Sequence, residues 1–204
     1  MKSIPEPSRR RLVAIAQLLT QQTSEKITSV TIEKLTGWSQ SLIRKDISLL
    51  ELRSGASNGY KVAELKEAIF SAFNIKVIPN NQKKCCIVGL GRLGAALLEN
   101  SIFDNSPFKI VAGFDSNVNR TEILRASFPL HPTTLLESVI KSEKIEFAIL
   151  AVPEKNAIET AKRLANCGIK GIVNYTSSIL TTDENITIEN VSPITALTNL
   201  LASC

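Results

Sequence analysis

The chain has 204 residues, 44% of them hydrophobic and 21% charged, which excludes a disordered protein and suits one and a half to two domains. Its net charge of +5 is unevenly placed, because residues 1–79 hold twelve Lys and Arg against seven Asp and Glu, whereas residues 80–204 hold twelve of each. A polyanion is therefore expected to bind the first part of the chain alone.

The sequence shows neither a membrane-spanning run of about 20 apolar residues nor a signal-peptide pattern, so a cytoplasmic protein is expected. Its four cysteines, Cys85, Cys86, Cys167 and Cys204, form no C-x-x-C pair. Structural thiols in a reducing compartment are the favoured interpretation, and a thiol redox sensor is the alternative.

The first predicted element is a helix from its cap, Ser8, to about Gln22, after an extended entry over residues 4–7. Apolar residues repeat along it at helical spacing, at Leu12, Ile15, Ala16 and Leu19. Arg9, Arg10 and Arg11 fall in the first turn, where the helix dipole disfavours cations. An anionic partner, acidic neighbours or a solvated basic turn accounts for them.

A helix-turn-helix is predicted next. Ser29 caps a helix over Val30 to Thr36 that Gly37 ends, and Ser39 caps a second helix over Gln40 to about Leu52. One side of the second helix carries groups that read bases and bind phosphates, at Gln40, Ser41, Arg44, Lys45 and Ser48. A DNA-recognition helix is the favoured interpretation, and an ordinary solvated face is the alternative. Trp38 is expected to pack within the turn.

Turn signals at residues 54–55 and 58–59 precede a short strand, Tyr60 to Val62, at the position of the wing in a winged helix. Arg53 opens this segment and joins Arg9 and Arg10 among the predicted DNA contacts. A helix over Ala63 to Phe73 and a linker over Asn74 to Lys83 complete the first domain, predicted as residues 1–79.

A dinucleotide-binding motif begins the second domain. A buried strand, Cys85 to Val88, runs into a G-x-G-x-x-G that opens a helix. Gly89 permits the turn, Gly91 leaves room for a pyrophosphate, and Gly94 lets the helix pack on the sheet. The predicted phosphate-binding loop is Gly89, Leu90, Gly91, Arg92, Leu93 and Gly94. In the alternative, the glycines only make a tight turn, and Arg92 lies either over the phosphates or in solvent.

The second strand, Lys109 to Phe114, ends in Asp115, twenty-one residues past Gly94. A carboxylate there accepts hydrogen bonds from a ribose diol and repels a 2′-phosphate, so NAD is favoured over NADP. Arg120 is the residue that softens this preference.

Helices over Thr134 to Ser142 and Ala157 to Cys167 alternate with strands over Glu146 to Val152, Gly171 to Tyr175 and Thr187 to Val191. The fold predicted for residues 80–191 is therefore an α/β Rossmann domain. Val152, Pro153 and Asn174 end two of these strands, where the ligand crevice of such a sheet lies, and are predicted cofactor contacts. Tyr175 either meets the nicotinamide or packs on the sheet edge.

The last predicted helix starts with Pro193 as its first residue and ends around Ala202. Its apolar side, Ile194, Leu197, Leu200 and Leu201, either closes its own domain or packs on a second subunit. His131, the only histidine, is placed in a surface loop, and no metal cluster or nucleophile motif is seen. A sensor is therefore favoured over an enzyme.

Several of these stretches together resemble the Rex family of bacterial redox-sensing transcriptional repressors, over nearly the whole chain. They are Ile4-Pro5 with Ser8 and Arg11-Leu12, SQSLIRKDIS at Ser39 to Ser48, Gly59 to Val62, GLGRLG with GFD, and AILAVPEKNAIETAKRLANCGIKGIVNYT. The resemblance implies a homodimer with a winged helix on double-stranded DNA and a Rossmann domain that binds NADH or NAD⁺. In that family the dimer closes when NADH binds, the operator is released, and the C-terminal helix, here residues 192–204, reaches the partner.

By resemblance, the cofactor positions are Gly89, Gly91, Gly94, Asp115, Val152, Pro153 and Asn174, and the recognition-helix positions include Ser41, Arg44 and Lys45. Gly55 and Ala56 replace a Lys-Arg pair of the family's wing, and Asn100 replaces an aromatic residue. Ser192 replaces an acid that pairs with the arginine matching Arg11. A divergent member is therefore expected, and a degenerate paralogue and a small NAD-dependent oxidoreductase are the alternatives.

Overall fold

The structure is a computed structural model that describes residues 4–52, 59–75, 82–99, 103–104, 106–181 and 186–203. The chain forms two compact units, Met1–Lys76 and Val77–Cys204. Each unit has its own apolar core within the described residues.

The N-terminal unit is a winged-helix fold. Its described elements are α1 (Glu6–Thr20), β1 (Lys26–Ile27), α2 (Ser29–Thr36), α3 (Gln40–Ser48), β2 (Tyr60–Lys61) and α4 (Val62–Ala72). The predicted apolar face of α1 is buried in the core, together with Ile32 of α2, Ile43 and Ile47 of α3 and Leu65 and Ile69 of α4. Trp38 packs against this core, as expected.

The start of α1 differs from the prediction. The helix begins at Glu6 with Pro5 as its N-cap, and Ser8 is buried inside it. Pro7 lies in the first turn, where a missing N–H costs no hydrogen bond, so the prolines start the helix rather than delay it. The predicted extended entry is therefore confirmed at Pro5 and wrong for Glu6 and Pro7, and the predicted Ser8 cap is wrong. Arg9 donates its backbone N–H to the Pro5 carbonyl at 2.9 Å, which places the three arginines beyond the first turn.

The helix-turn-helix is formed as predicted, with changes at its ends. The Ser39 hydroxyl accepts the Leu42 N–H at 3.4 Å, which confirms this cap, and Gly37 ends α2 with a φ of 74°. The cap of α2 is Thr28 rather than Ser29, because the Thr28 hydroxyl accepts the Thr31 N–H at 3.1 Å. Helix α3 ends at Ser48, four residues before the predicted end, in a turn that leads to Glu51 with a φ of 53°.

Strand β1 was not expected from the sequence. It pairs antiparallel with β2, Lys26 opposite Lys61 and Ile27 opposite Tyr60. Two residues are too few to show an alternating pattern, so only the partner strand, distant in sequence, reveals this ribbon. The predicted wing turn at residues 53–58 and most of the predicted linker lie outside the described residues.

The C-terminal unit is a Rossmann fold with a C-terminal helix. Its elements are β3 (Lys83–Val88), α5 (Arg92–Ala96), β4 (Phe108–Asp115), α6 (Val118–Ile123), β5 (Leu130–Pro132), a 3₁₀ turn (Thr133–Leu135), α7 (Leu136–Glu143), β6 (Phe147–Leu150), α8 (Glu154–Asn166), β7 (Gly171–Asn174), β8 (Thr187–Asn190) and α9 (Pro193–Ser203). All strand pairs are parallel, in the order β5-β4-β3-β6-β7-β8. The order reverses between β3 and β6, and a crevice opens at the carboxyl ends of such strands.

His131 lies in β5 rather than in the predicted loop. It is half-buried and pairs with Phe114 of β4, and the centroids of the two rings are 5.8 Å apart. Its expected place on the surface is therefore wrong. The short strand Leu130–Pro132 ends in proline and contains no apolar run, which explains why the sequence pattern did not reveal it.

Helix α9 begins at Pro193, as predicted. The Ser192 hydroxyl accepts the Thr195 N–H at 3.3 Å and so caps the helix. Its apolar side chains are exposed, Ile194 by 75%, Leu197 by 65%, Leu200 by 61% and Leu201 by 79%. This face is thus not buried in the single chain. Within the described part of the chain, no helix has the length and apolar character needed to cross a membrane.

Candidate functional site

The three glycines of the loop between β3 and α5 have different structural roles. Gly89 has a φ of 96°, and a Cβ on it would lie 2.5 Å from the Ala151 carbonyl oxygen of the neighbouring strand end. A Cβ on Gly94 would overlap the Gly89 carbonyl oxygen. In contrast, a Cβ on Gly91 would meet nothing within 4 Å. Gly89 and Gly94 are therefore needed by the fold, whereas Gly91 borders open space.

Asp115 is the residue that ties this loop to the end of β4. It is 3% exposed, and one carboxylate oxygen accepts the Leu90 N–H at 2.7 Å while the other accepts the Asn117 N–H at 2.7 Å. The Arg120 guanidinium lies 3.4 Å from the same carboxylate. The acid predicted to bind a ribose thus also holds the glycine loop in place.

A cleft of about 440 Å³ opens where β3, β4 and β6 end. Five of the predicted cofactor residues line it, namely Gly89, Gly91, Asp115, Val152 and Pro153. The others that line it are Ser116, Arg120, Thr133, Ala151, Asn156, Glu159, Thr160 and Arg163. The cleft therefore collects residues that the sequence separates by as many as 74 positions, from Gly89 to Arg163.

Helix α8 supplies a polar side of the cleft that the sequence analysis missed. Asn156, Glu159, Thr160 and Arg163 follow one another at helical spacing, while Ala157, Ala161 and Leu164 on the opposite side are buried. This spacing was visible in the sequence and is the signal that would have found them.

Arg163 is fixed by α7 and the turn before it. Its guanidinium donates to Glu137 at 2.7 and 3.1 Å and to the Thr133 carbonyl at 2.8 Å. This hydrogen-bonded partner holds the pKa of Glu137 below its usual value. The pair joins α7 to α8 and so fixes the wall of the cleft.

The other four residues of the predicted phosphate-binding loop do not line the cleft. Leu90 is buried in the core and Gly94 is packed under the loop, whereas Leu93 is 45% exposed and Arg92 is exposed. The Leu90 N–H is already donated to Asp115, whereas the N–H groups of Arg92, Leu93 and Gly94 lie in the first turn of α5, as a phosphate-binding role requires.

Asn174 has its side chain in a buried network instead. Its amide donates to the Ser178 carbonyl at 2.7 Å and to the Asn190 side chain at 2.8 Å, and its oxygen accepts from Thr176. These bonds hold the segment between β7 and β8. Tyr175 packs against the apolar cluster of Ile87 and Phe147, in line with the alternative that it packs on the sheet.

The residues at this cleft fit a dinucleotide. A pyrophosphate needs backbone N–H groups without a side chain in front of them, and the open space at Gly91 meets that need. Hydroxyl-binding groups are present on both sides, Asp115 and Ser116 after β4 and Asn156 and Glu159 on α8.

The buried thiols do not resemble a reactive pair. Burial raises the pKa of Cys85 to about 12 and also raises that of Cys86 well above its ordinary value. Because the thiolate is the nucleophile, both thiols stay protonated and unreactive at neutral pH. A redox response through Cys85 or Cys86 is therefore disfavoured; Cys204 lies outside the described residues.

The polar face of α3 is exposed on the N-terminal unit. Ser41, Arg44, Lys45 and Ser48 are exposed and Gln40 is half-buried. The Arg44 guanidinium donates to the Ser29 hydroxyl and to the Gln40 side-chain oxygen, both at 3.0 Å, and the Gln40 amide donates to Glu33 at 2.7 Å. Four polar side chains of α2 and α3 thus form one hydrogen-bonded row.

The arginines of α1 are held in different ways. Arg9 donates to the Ile4 carbonyl at 3.3 Å, and Arg10 pairs with Glu6 at 3.1 Å. Arg11 instead reaches α3, where its guanidinium donates to both oxygens of the buried Asp46 at 2.6 and 3.0 Å. Arg9 and Arg10 are therefore exposed cations, whereas Arg11 is a structural one; Arg53 lies outside the described residues.

Comparison with known proteins finds relatives that span both units. The model of the CoA binding domain matches residues 80–178. The redox-sensing transcriptional repressor Rex of Pediococcus pentosaceus is 30% identical over 173 residues, which cover 85% of this chain and 81% of that protein.

The chain belongs to the Rex family.

Solved structures of RSP, a Rex-family repressor, match the whole chain at 25% identity. RSP in complex with β-NADH has a TM-score of 0.82 and is covered over 95% of its length. RSP in complex with β-NAD⁺ and operator DNA has a TM-score of 0.84 and is covered over 93%. Both units therefore have counterparts in one Rex structure.

One of the expected departures from other Rex proteins, Ser192, lies within the described residues. Ser192 is a neutral helix cap, and Arg11 has Asp46 of its own unit as a partner. Arg11 therefore does not need an acid at position 192 to be paired. Gly55, Ala56 and Asn100, the other departures, lie outside the described residues.

Proposed function

We propose that this chain is a transcriptional repressor that binds operator DNA and senses the ratio of NADH to NAD⁺. One observation carries the proposal: a single chain joins an exposed cationic helix-turn-helix face to a glycine-loop cleft that fits a dinucleotide. Its similarity over its full length to RSP bound to NADH, and to RSP bound to NAD⁺ and operator DNA, supports the same conclusion.

The division of labour follows the two units. Residues 1–79 bind DNA, with α3 in the major groove. The residues of this unit that contact DNA are Arg9, Arg10, Gln40, Ser41, Arg44, Lys45, Ser48 and Arg53. Residues 80–191 bind NAD(H) through the loop Gly89 to Gly94, with Asp115, Val152 and Pro153 around it. Residues 192–204 form a helix that is exchanged across a homodimer.

The nucleotide acts as a signal. NADH and NAD⁺ differ by a hydride on the nicotinamide ring, and this difference is what the protein reports. The closed homodimer binds the reduced form more tightly than the open one, so the population shifts by that difference in affinity. In the closed dimer the two recognition helices no longer match the spacing of about 34–36 Å between successive major grooves, and the operator dissociates.

The chain is proposed to be a regulator rather than an enzyme, as Rex proteins are repressors. A protein that binds operator DNA in a bacterium is located in the cytoplasm.

Operator binding at fixed salt, measured by fluorescence anisotropy without nucleotide, with NAD⁺ and with NADH, tests the proposal. Tight binding that persists in NAD⁺ and falls at least about tenfold in NADH is expected, since tenfold corresponds to about 1.4 kcal/mol of coupling. Affinity should also fall steeply with added salt, because phosphate contacts release counterions.

The matched control is Gly91→Ala. Its new methyl group meets no protein atom within 4 Å, so the fold is retained, yet it fills the space in front of the loop. This variant should bind the operator as the wild type does and ignore NADH. Wild-type binding that is indifferent to both nucleotides, or a complete lack of DNA binding, would contradict the proposed function.

A further inference from the structure

One member of the row of hydrogen bonds that joins α2 to α3 is an acid, Glu33. It is neither a cation nor an amide that could read a base. Glu33 lies on α2 and is half-buried. Its carboxylate accepts the side-chain N–H of Gln40, the first residue of α3, at 2.7 Å. An acid beside a DNA-binding surface repels phosphate, so its presence calls for a physical reason.

The reason lies in what each partner can do. A carboxylate only accepts hydrogen bonds and a guanidinium only donates them. Gln40 lies between Glu33 and Arg44, so its NH₂ group must point to Glu33 and its oxygen must point to Arg44. The orientation of this amide is therefore forced from both sides.

The same row fixes Arg44. Its Nε donates to the Ser29 hydroxyl and its Nη2 donates to the Gln40 oxygen, both at 3.0 Å. Two anchored nitrogens define the plane of the guanidinium, while the remaining N–H groups are left for a base edge. An arginine reads guanine through two parallel hydrogen bonds to O6 and N7, which demands such a defined plane.

We infer that Glu33 is a positioning residue for sequence recognition, which sets the plane of Arg44 through Gln40 and lowers general DNA affinity at the same time. This inference rests on the proposed DNA-binding function. It goes further because it assigns sequence discrimination to Glu33, which is not one of the predicted DNA contacts and bears the wrong charge for DNA.

The variant Glu33→Gln separates the two effects. The new amide both donates and accepts, so only Arg44 is left to orient Gln40, and the change also removes one negative charge. Binding to a random duplex should strengthen by a few-fold, because the repulsion of phosphate is lost. Discrimination of the operator from that duplex should fall by about tenfold, which is within the range of one good arginine–guanine contact.

The control variant is Glu67→Gln on α4, which removes the same charge from an exposed residue that accepts a hydrogen bond from the Ser71 hydroxyl. This variant should show the effect of the lost charge on binding to a random duplex, and it should keep the discrimination of the operator from that duplex. Thermal unfolding of the full-length variants checks that each is folded.

The DNA probes are a duplex selected by the wild-type protein from a randomised pool, the same duplex with each base pair changed in turn, and a scrambled duplex. Arg44→Lys identifies the base pair that Arg44 reads. A loss in Glu33→Gln that is confined to this base pair supports the inference.

Unchanged discrimination in Glu33→Gln, or an equal loss at every base pair, overturns the inference while the operator binding of the wild type stands. A wild-type protein that selects no sequence from the pool fails the proposed function itself and the inference with it. The two failures are therefore distinguishable.

Discussion

Asp115 holds the fold together at the glycine loop, and it is also the residue predicted to select the ligand. Its carboxylate holds the glycine loop through the Leu90 N–H and is nearly inaccessible to solvent at 3% exposure. Arg120 lies 3.4 Å away, with its own side chain 51% exposed. Asp115 thus forms an ion pair with Arg120, a cation that could otherwise bind a 2′-phosphate.

Asp115→Asn should therefore change nucleotide preference as well as affinity. NADH affinity should fall by about tenfold, because one of the two backbone N–H groups loses its acceptor and the loop loosens. NADPH affinity should rise relative to NADH by about tenfold or more, because Arg120 is released and the repulsion of phosphate is removed. Titration calorimetry with both nucleotides measures the ratio.

The double variant Asp115→Asn/Arg120→Gln is the control for this prediction. It should lose the relative gain for NADPH and keep the loss for NADH. Equal losses for both nucleotides in the single variant would show that Asp115 acts through the loop alone.

At the scale of elements, the recognition helix α3 is docked on α1 by an ion pair inside an apolar interface. Arg11 is 21% exposed in its side chain and Asp46 is 2% exposed, and their contact is bidentate. The hydrogen bond to Asp46 raises the pKa of Arg11 above its already high value, so the cation is present at every physiological pH. This pair therefore links α3 directly to α1.

Arg11→Ala should destabilise the N-terminal unit by about 3 kcal/mol, because it leaves a buried carboxylate without its partner. Arg11→Met/Asp46→Leu should cost much less, since no buried charge remains. The chain has one tryptophan, Trp38, which packs on this core, so urea unfolding followed by its fluorescence reports on this unit. Equal losses in both variants would indicate a packing role instead of a charge role.

The elements that could be predicted from the sequence are those determined by residues adjacent in the chain. The run Cys85 to Val88 before a glycine, and the serine cap of α3, depend on neighbouring residues and were found at or near their observed places. Strands β1 and β5 depend on partners distant in the chain, Tyr60 and Phe114, and were missed. Pairing between distant strands leaves little trace in two or three residues.

For the cleft, the sequence identified the chemistry of the loop but not its supports. The spacing of the glycines and Asp115 indicated a dinucleotide, since those requirements are stereochemical. The bond from Asp115 to Leu90 follows from the register that places Val88 beside Phe114, which one sequence does not reveal. Likewise, the amide of Asn174 is occupied by Asn190 and Ser178 because β8 pairs with β7.

For the whole molecule, the main feature that the single chain leaves uncovered is the apolar side of α9. Leu197 and Leu201 are 65% and 79% exposed in the single chain. Covering such side chains stabilises an assembly by roughly 1.5–3 kcal/mol for each large apolar residue that becomes fully buried. The proposed homodimer supplies the surface that would cover them.

Leu197→Asp/Leu201→Asp should therefore yield a monomer that binds the operator at least about tenfold more weakly, because a dimer contacts two half-sites. Light scattering after gel filtration measures the mass, and anisotropy measures the affinity. Asn199→Asp, on the other side of the helix, adds a charge without touching the apolar face and should remain dimeric. A double variant that stays dimeric would exclude α9 from the dimer contact.

The exposed side of α9 also links repression to gene dosage. Where most chains are single, the concentration of dimers rises with the square of the concentration of chains. Halving the supply of protein would then roughly quarter the amount of repressor able to hold an operator, whereas a repressor that acts as a monomer would lose only half. The number of copies per cell thereby becomes a second input to the switch, beside the state of the nucleotide pool.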